Sequence, residues 1–162
     1  KRALILSAGS LFNVFFAFAV FTVVFAVGKD SDPVSALMLS AKTVWEILSG
    51  TFLFIVKALS GHGAVEGVSG PVGIAVMAGQ AAGKGMLSLC HFTGVLSMSL
   101  GIMNLLPLPA LDGGHLAMLF VAAVRRRPLN PRVYQAATAV GLVLFLILTV
   151  LVTYQDIARL IA

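Results

Sequence analysis

The chain has 162 residues, 59% of them hydrophobic and 10% charged, with a mean hydropathy of +1.04. Soluble domains carry about 25% charged residues, so a soluble globular protein is excluded and a membrane protein is indicated. The net charge of +5 does not imply nucleic acid, because the basic residues sit mostly at the ends of apolar runs, where they orient a protein in the bilayer.

Ala3 to Val27 is apolar except for Ser7, Ser10, Asn13 and Thr22. As a helix its 25 positions reach about 37 Å, enough to cross a hydrocarbon core of about 30 Å. Gly28-Lys29-Asp30-Ser31-Asp32-Pro33 ends it with charges and turn formers. Lys1-Arg2 ahead of an apolar run resembles a secretion signal, but the run is too long and lacks a cleavage site, so no cleavable signal peptide is expected.

Val34 to Leu59 places Val34, Leu37, Met38, Ala41, Trp45, Leu48, Phe52, Ile55 and Leu59 at helical spacing, with Lys42, Glu46, Ser49 and Lys57 on another side. A central Lys costs about 2.5–3.5 kcal/mol on insertion scales. That cost predicts an interfacial amphipathic helix over 34–59 instead of a span.

Ser60 to Gly85 holds eight of the sixteen glycines, which predicts a re-entrant, loop-rich segment with at most a short helix near Ile74 to Ala82. Met86 to Leu106 reads as a second span, central in a bundle because of its polar residues, with Gly94 and Gly101 allowing close packing. Its Cys90 is the sole cysteine, so no intrachain disulfide forms. Leu116 to Val124 is a short apolar helix before Arg125-Arg126-Arg127-Pro128. Tyr134 to Tyr154 is the third span, its tyrosines about 30 Å apart in two interfacial belts. The expected fold is therefore an all-α membrane protein: one membrane domain with spans over 3–27, 86–106 and 134–154, an interfacial helix over 34–59 and a Gly-rich segment over 60–85.

Charge sets the expected orientation. Lys1-Arg2 and the cluster Arg125, Arg126, Arg127 and Arg132 belong in the cytoplasm, with residues 28–85 outside. Three spans satisfy this. A fourth over 34–59 would export the arginine cluster.

The segment Asn104-Leu105-Leu106-Pro107-Leu108-Pro109-Ala110-Leu111-Asp112-Gly113-Gly114 carries the chemistry. It places one carboxylate after an apolar run, between Pro109 and a Gly pair. An ionisable group at membrane depth is costly and marks a functional site by default. Asp112 by itself stays open to three readings: a helix cap, a buried structural carboxylate or a metal ligand. Asn104 is open to interhelical hydrogen bonding, and Pro107 and Pro109 stop the helix and remove two N–H donors.

This run resembles the Asn-x-x-Pro-x-Pro-x-Leu-Asp-Gly-Gly signature of the site-2 protease family of intramembrane zinc metalloproteases, peptidase family M50, and within it the regulator-of-sigma-E protease branch. Ser7-Ala8-Gly9-Ser10-Leu11-Phe12-Asn13 is similar to the family's Ala-Gly-Pro-x-x-Asn-Phe segment, and Gly70-Pro71-Val72-Gly73-Ile74-Ala75 to its Gly-Pro-Ile-Gly-Ile-Ala element. The ending around Tyr154-Gln155-Asp156 is similar to the family's last helix and outer tail. The resemblance implies that Asp112 is one protein ligand of a catalytic Zn2+, and that Asn104, Pro107 and Pro109 meet the substrate. It also implies a bacterial inner-membrane location. Its implied substrates are single-pass membrane proteins such as anti-sigma factors or remnant signal peptides.

Three departures stand out. The family's His-Glu-x-x-His helix is missing, since His62, His91 and His115 cannot supply two imidazoles at i and i+4. Only a handful of residues separate the first span from Val34, where the family has its PDZ region. Ser10 replaces the usual Pro, and Ser99 stands where the protease branch often has Asn. The chain resembles the C-terminal part of such a protease. Two readings follow: an intramembrane zinc endopeptidase of which this chain alone is inactive, or a catalytically incomplete member or fragment that binds membrane segments without cutting them. A transporter component would also place an Asp beside broken helices, but it predicts a repeat that the sequence lacks.

Overall fold

The computed structural model describes residues 2–28, 32–60, 69–108, 111–125 and 131–161. Among them are six helices: α1 (Arg2–Gly28), α2 (Pro33–Leu59), α3 (Pro71–Gly83), α4 (Met86–Leu105), α5 (Asp112–Val124) and α6 (Pro131–Ile161).

α1 and α4 form the centre, and small residues on α4 make their close approach possible. A Cβ at Gly94 would lie 2.7 Å from Cε1 of Phe21, and one at Gly101 would lie 3.1 Å from the Ser10 carbonyl oxygen. The two glycines are seven residues apart, two helical turns, so they share one face of α4. Phe21 fits the gap at Gly94 and is fully buried with Ala17 and Met98; Ile102 completes the cluster, and Val44, Ile47 and Leu48 of α2 pack around it. In a bilayer such packing carries the association, because lipid chains are as apolar as the side chains and burial alone offers no drive.

Direction follows from the pairings. Gly28 meets Leu87 and Gly101 meets Asn13, so α1 and α4 are antiparallel. The Thr22 and Ser40 hydroxyls lie 3.1 Å apart, just either side of the α1–α2 connection, so α2 is antiparallel to α1 as well. α2 thus runs away from the end at which α4 starts, and the chain between Ser60 and Met86 must return.

This corrects the expected fold. Four helices among the described residues, not three, are long and apolar enough to cross a membrane: those containing 8–28, 33–57, 86–105 and 134–161. The fourth is α2, which the sequence places on the surface because of its charged stripe. Part of that stripe finds partners within the helix. Lys42 pairs with Glu46 at 3.9 Å, and the Ser49 hydroxyl donates to the Trp45 carbonyl at 2.8 Å. The large apolar residues Leu37, Met38, Trp45 and Phe52 are exposed, while Ala36 and Ser40 are the residues buried against the bundle.

The re-entrant segment is corrected too. Residues 71–83 form a regular helix, α3, that packs on α4 and α6. Residues 61–68, with His62, lie outside those described. The last helix is longer than expected: α6 has 31 residues and continues past Tyr154 to Ile161.

Candidate metal-ligand motif

Pro107 dictates the end of α4. Its ring disfavours helical geometry at the preceding residue, and Leu106 is extended at φ −62°, ψ 142°. The chain then turns on itself through Leu108 N–H to the Leu106 carbonyl at 2.7 Å and Leu111 N–H to the Leu108 carbonyl at 2.9 Å. Leu111 is extended and opens α5 without a side-chain cap.

Asp112 is the first residue of α5, where a carboxylate faces the positive end of the helix dipole. Gly113 and Gly114 are buried, and a Cβ at Gly113 would overlap the carbonyl oxygens of Leu105 and Leu106. The glycine thus lets the start of α5 press into the end of α4. From the other side comes α1, where a Cβ at Gly9 would stand 3.9 Å from Asp112 Oδ2. The carboxylate is half-buried between α1 and α4, and among the described residues nothing hydrogen bonds to it.

Asn104 is half-buried on the last turn of α4, close in sequence to this junction, and Pro107 is exposed beside it. Pro109 lies outside the described residues. Asn13 faces Gly101, and its carbonyl accepts a bond from the Ser97 hydroxyl at 3.1 Å. Ser10 is fully buried with its hydroxyl unpartnered. Ser99 donates to the Val95 carbonyl of its own helix.

Two histidines are described, His91 on α4 and His115 on α5, one turn after Asp112. His91 packs against Phe21 and Phe25, with ring centroids 5.3 and 6.2 Å away. The imidazole of His115 stacks on Tyr134 of α6 at 5.3 Å, and its Nδ1 is hydrogen bonded to the Tyr134 hydroxyl. The sequence reading assigns Tyr134 only to an interfacial belt and gives Asp156 no role. Asp156 is a buried carboxylate whose Oδ2 accepts a 2.7 Å bond from Gly73 N–H. An acidic residue in the continuation of an apolar helix was the available signal.

A catalytic zinc needs about three protein ligands and an open position for water. Among the described residues no group of three His, Cys, Asp or Glu side chains converges. Asp112 has the right chemistry for one ligand, but the residues present do not make a zinc site.

Known proteins place this architecture. The B. subtilis regulator of sigma-W protease RasP is 37% identical over 131 residues, covering 81% of this chain and 31% of that protein. The zinc metalloprotease RasP of Bacillus licheniformis is 40% identical over 104 residues, covering 64% of this chain and 25% of its own length. Protease RseP of Photorhabdus luminescens is 34% identical over 135 residues, 83% of this chain and 60% of that protein. The chain therefore spans between a quarter and three fifths of the length of these relatives. The sequence profile of peptidase family M50 matches residues 1–148. The α1–α4–α5 junction around Asp112 falls inside that match, and the chain belongs to peptidase family M50, in its branch of RseP- and RasP-like proteins.

Proposed function

We propose that this chain is a catalytically incomplete M50 membrane module that binds membrane-spanning segments and does not cleave them by itself. The observation that carries this is Asp112: a half-buried carboxylate at the meeting of three helices, around which no group of three metal-binding side chains forms among the described residues. In a complete site of this family Asp112 would be one zinc ligand. The other two would come from a His-Glu-x-x-His helix, which this sequence does not contain.

Asn104, Pro107 and Pro109 are the proposed substrate contacts. A helical substrate already uses its backbone groups internally, so it must unwind before an amide such as Asn104 can bond to it. The extended backbone at Leu106 and the exposed Pro107 offer an edge for such an unwound stretch. The proposed partners are single-pass proteins of a bacterial inner membrane, such as anti-sigma factors or remnant signal peptides. Lys1-Arg2 and Arg125–Arg127 are placed in the cytoplasm by their charge.

The test is a titration of the purified chain in detergent with zinc and with a labelled single-span peptide. The expected result is peptide binding that is weakened by Asn104→Ala, weak zinc uptake and no cleavage. Near-stoichiometric zinc at low free metal together with peptidase activity would overturn the reading, and so would a failure to bind any spanning peptide.

A further inference from the structure

α3 begins without a cap of its own. Its N-cap is Gly70, which has no side chain, and Pro71 follows at the first helical position. An N-cap side chain normally accepts a bond from the second or third amide of the helix. Here the third amide, Gly73 N–H, is bonded to Asp156 Oδ2, 83 residues away on α6. Asp156 is only 5% exposed, so this is a bond removed from solvent, and the carboxylate lies at the positive end of the α3 dipole.

The two glycines at the start of this element, Gly70 and Gly73, meet the same carboxylate. A Cβ on Gly70 would stand 2.8 Å from Asp156 Oδ2 and 2.9 Å from Val152 Cγ1. A Cβ on Gly73 would stand 3.1 Å from both carboxylate oxygens. Gly70 and Gly73 are one turn apart and face α6, so the Gly-Pro-x-Gly pattern is a seat shaped for one carboxylate.

We propose that Asp156 is a latch, capping α3 from a distance and by that bond holding α3 on α6. The α1–α4 centre does not depend on it, because its packing around Phe21 and Gly94 involves neither α3 nor α6. Loss of the carboxylate therefore frees α3 from α6 and leaves the central bundle assembled.

The experiment uses the full chain in a Cys90→Ser background, with spin labels at the exposed positions Gln80 on α3 and Gln155 on α6. Electron–electron distance measurement is combined with hydrogen exchange at the Gly73 amide. The parent should give one narrow distance. Asp156→Ala should broaden and lengthen it and speed exchange at Gly73 by roughly tenfold, as for a lost cap. Asp156→Asn, which keeps an acceptor oxygen but no charge, should show a smaller change of the same kind. Gly70→Asp added to Asp156→Ala supplies a local cap, while its Cβ would still meet Val152 and Thr153 in the docked position. This pair should regain protection at Gly73 and keep the broad distance, which separates capping from docking. An unchanged distance in Asp156→Ala overturns the latch, and so does a distance restored by the added Gly70→Asp. If the alanine variant does not fold, the asparagine variant decides: a broadened distance supports the latch and an unchanged one overturns it.

Discussion

Gly113 lies directly against the carbonyl of Leu105, with no room for even one carbon between the start of α5 and the end of α4. The obstruction is backbone, which cannot rotate away as a flexible side chain can. Gly113→Ala should therefore destabilise the junction by about 3 kcal/mol, at the upper end of overpacking costs, and displace Asp112. Thermal unfolding in detergent measures the loss. A variant as stable as the parent would show that α5 does not sit where the structure puts it.

Two other glycines should respond in opposite directions. Gly94→Ala drives a methyl into the fully buried ring of Phe21 and should cost about 1–3 kcal/mol. Gly50 is also helical, but nothing lies within 4 Å of its potential Cβ. Gly50→Ala should be neutral or stabilise by about 0.4–1 kcal/mol, through the lower entropy of the unfolded chain. Unfolding midpoints of the two variants, measured side by side, check the contrast.

The pairing of α1 with α2 is open to a direct chemical test. Thr22 and Ser40 bring their hydroxyls to 3.1 Å, so cysteines at both positions in a Cys90→Ser background should join on mild oxidation. Maleimide labelling before and after reduction reads the bond. Free thiols after oxidation would mean that α2 does not lie along α1.

At the other end of α6 the Tyr134 hydroxyl is bonded to His115, three residues beyond Asp112. Tyr134→Phe keeps the ring stack and removes the bond, so it should cost about 0.5–1.5 kcal/mol. Tyr134→Ala removes both and should cost more. Tyr134 and Asp156 are 22 residues apart, about 33 Å along a helix, so these contacts lie near opposite ends of α6. Loss of the Tyr134 bond should leave hydrogen exchange at Gly73 unchanged, and a faster rate there would show that the ends are coupled.

In a protein that also carries a His-Glu-x-x-His helix, Asp112→Asn should reduce zinc occupancy and abolish proteolysis, whereas Asn104→Ala should lower cleavage and retain zinc. Metal analysis of both variants separates a ligand from a substrate contact. Full activity in Asp112→Asn would remove Asp112 from the ligand set.

The sequence by itself determined the membrane class, the helices of the first, central and last apolar runs, and the motif around Asp112. Each of these rests on local facts: run length against bilayer thickness, proline as a helix stop, and a carboxylate too costly to stand in lipid without a reason. It did not determine the placement of α2. An apolar stripe at helical spacing faces a core in water, but in a bilayer both neighbours are apolar, and here Leu37, Trp45 and Phe52 are exposed while Ala36 and Ser40 are buried, Ser40 against Thr22 of α1. Nor did it show where the short helix expected near Ile74 to Ala82 docks, because the cap of α3 is supplied 83 residues later by Asp156. Local spacing reports how a helix begins and ends, whereas the partner of a bare helix start is settled only when distant segments meet.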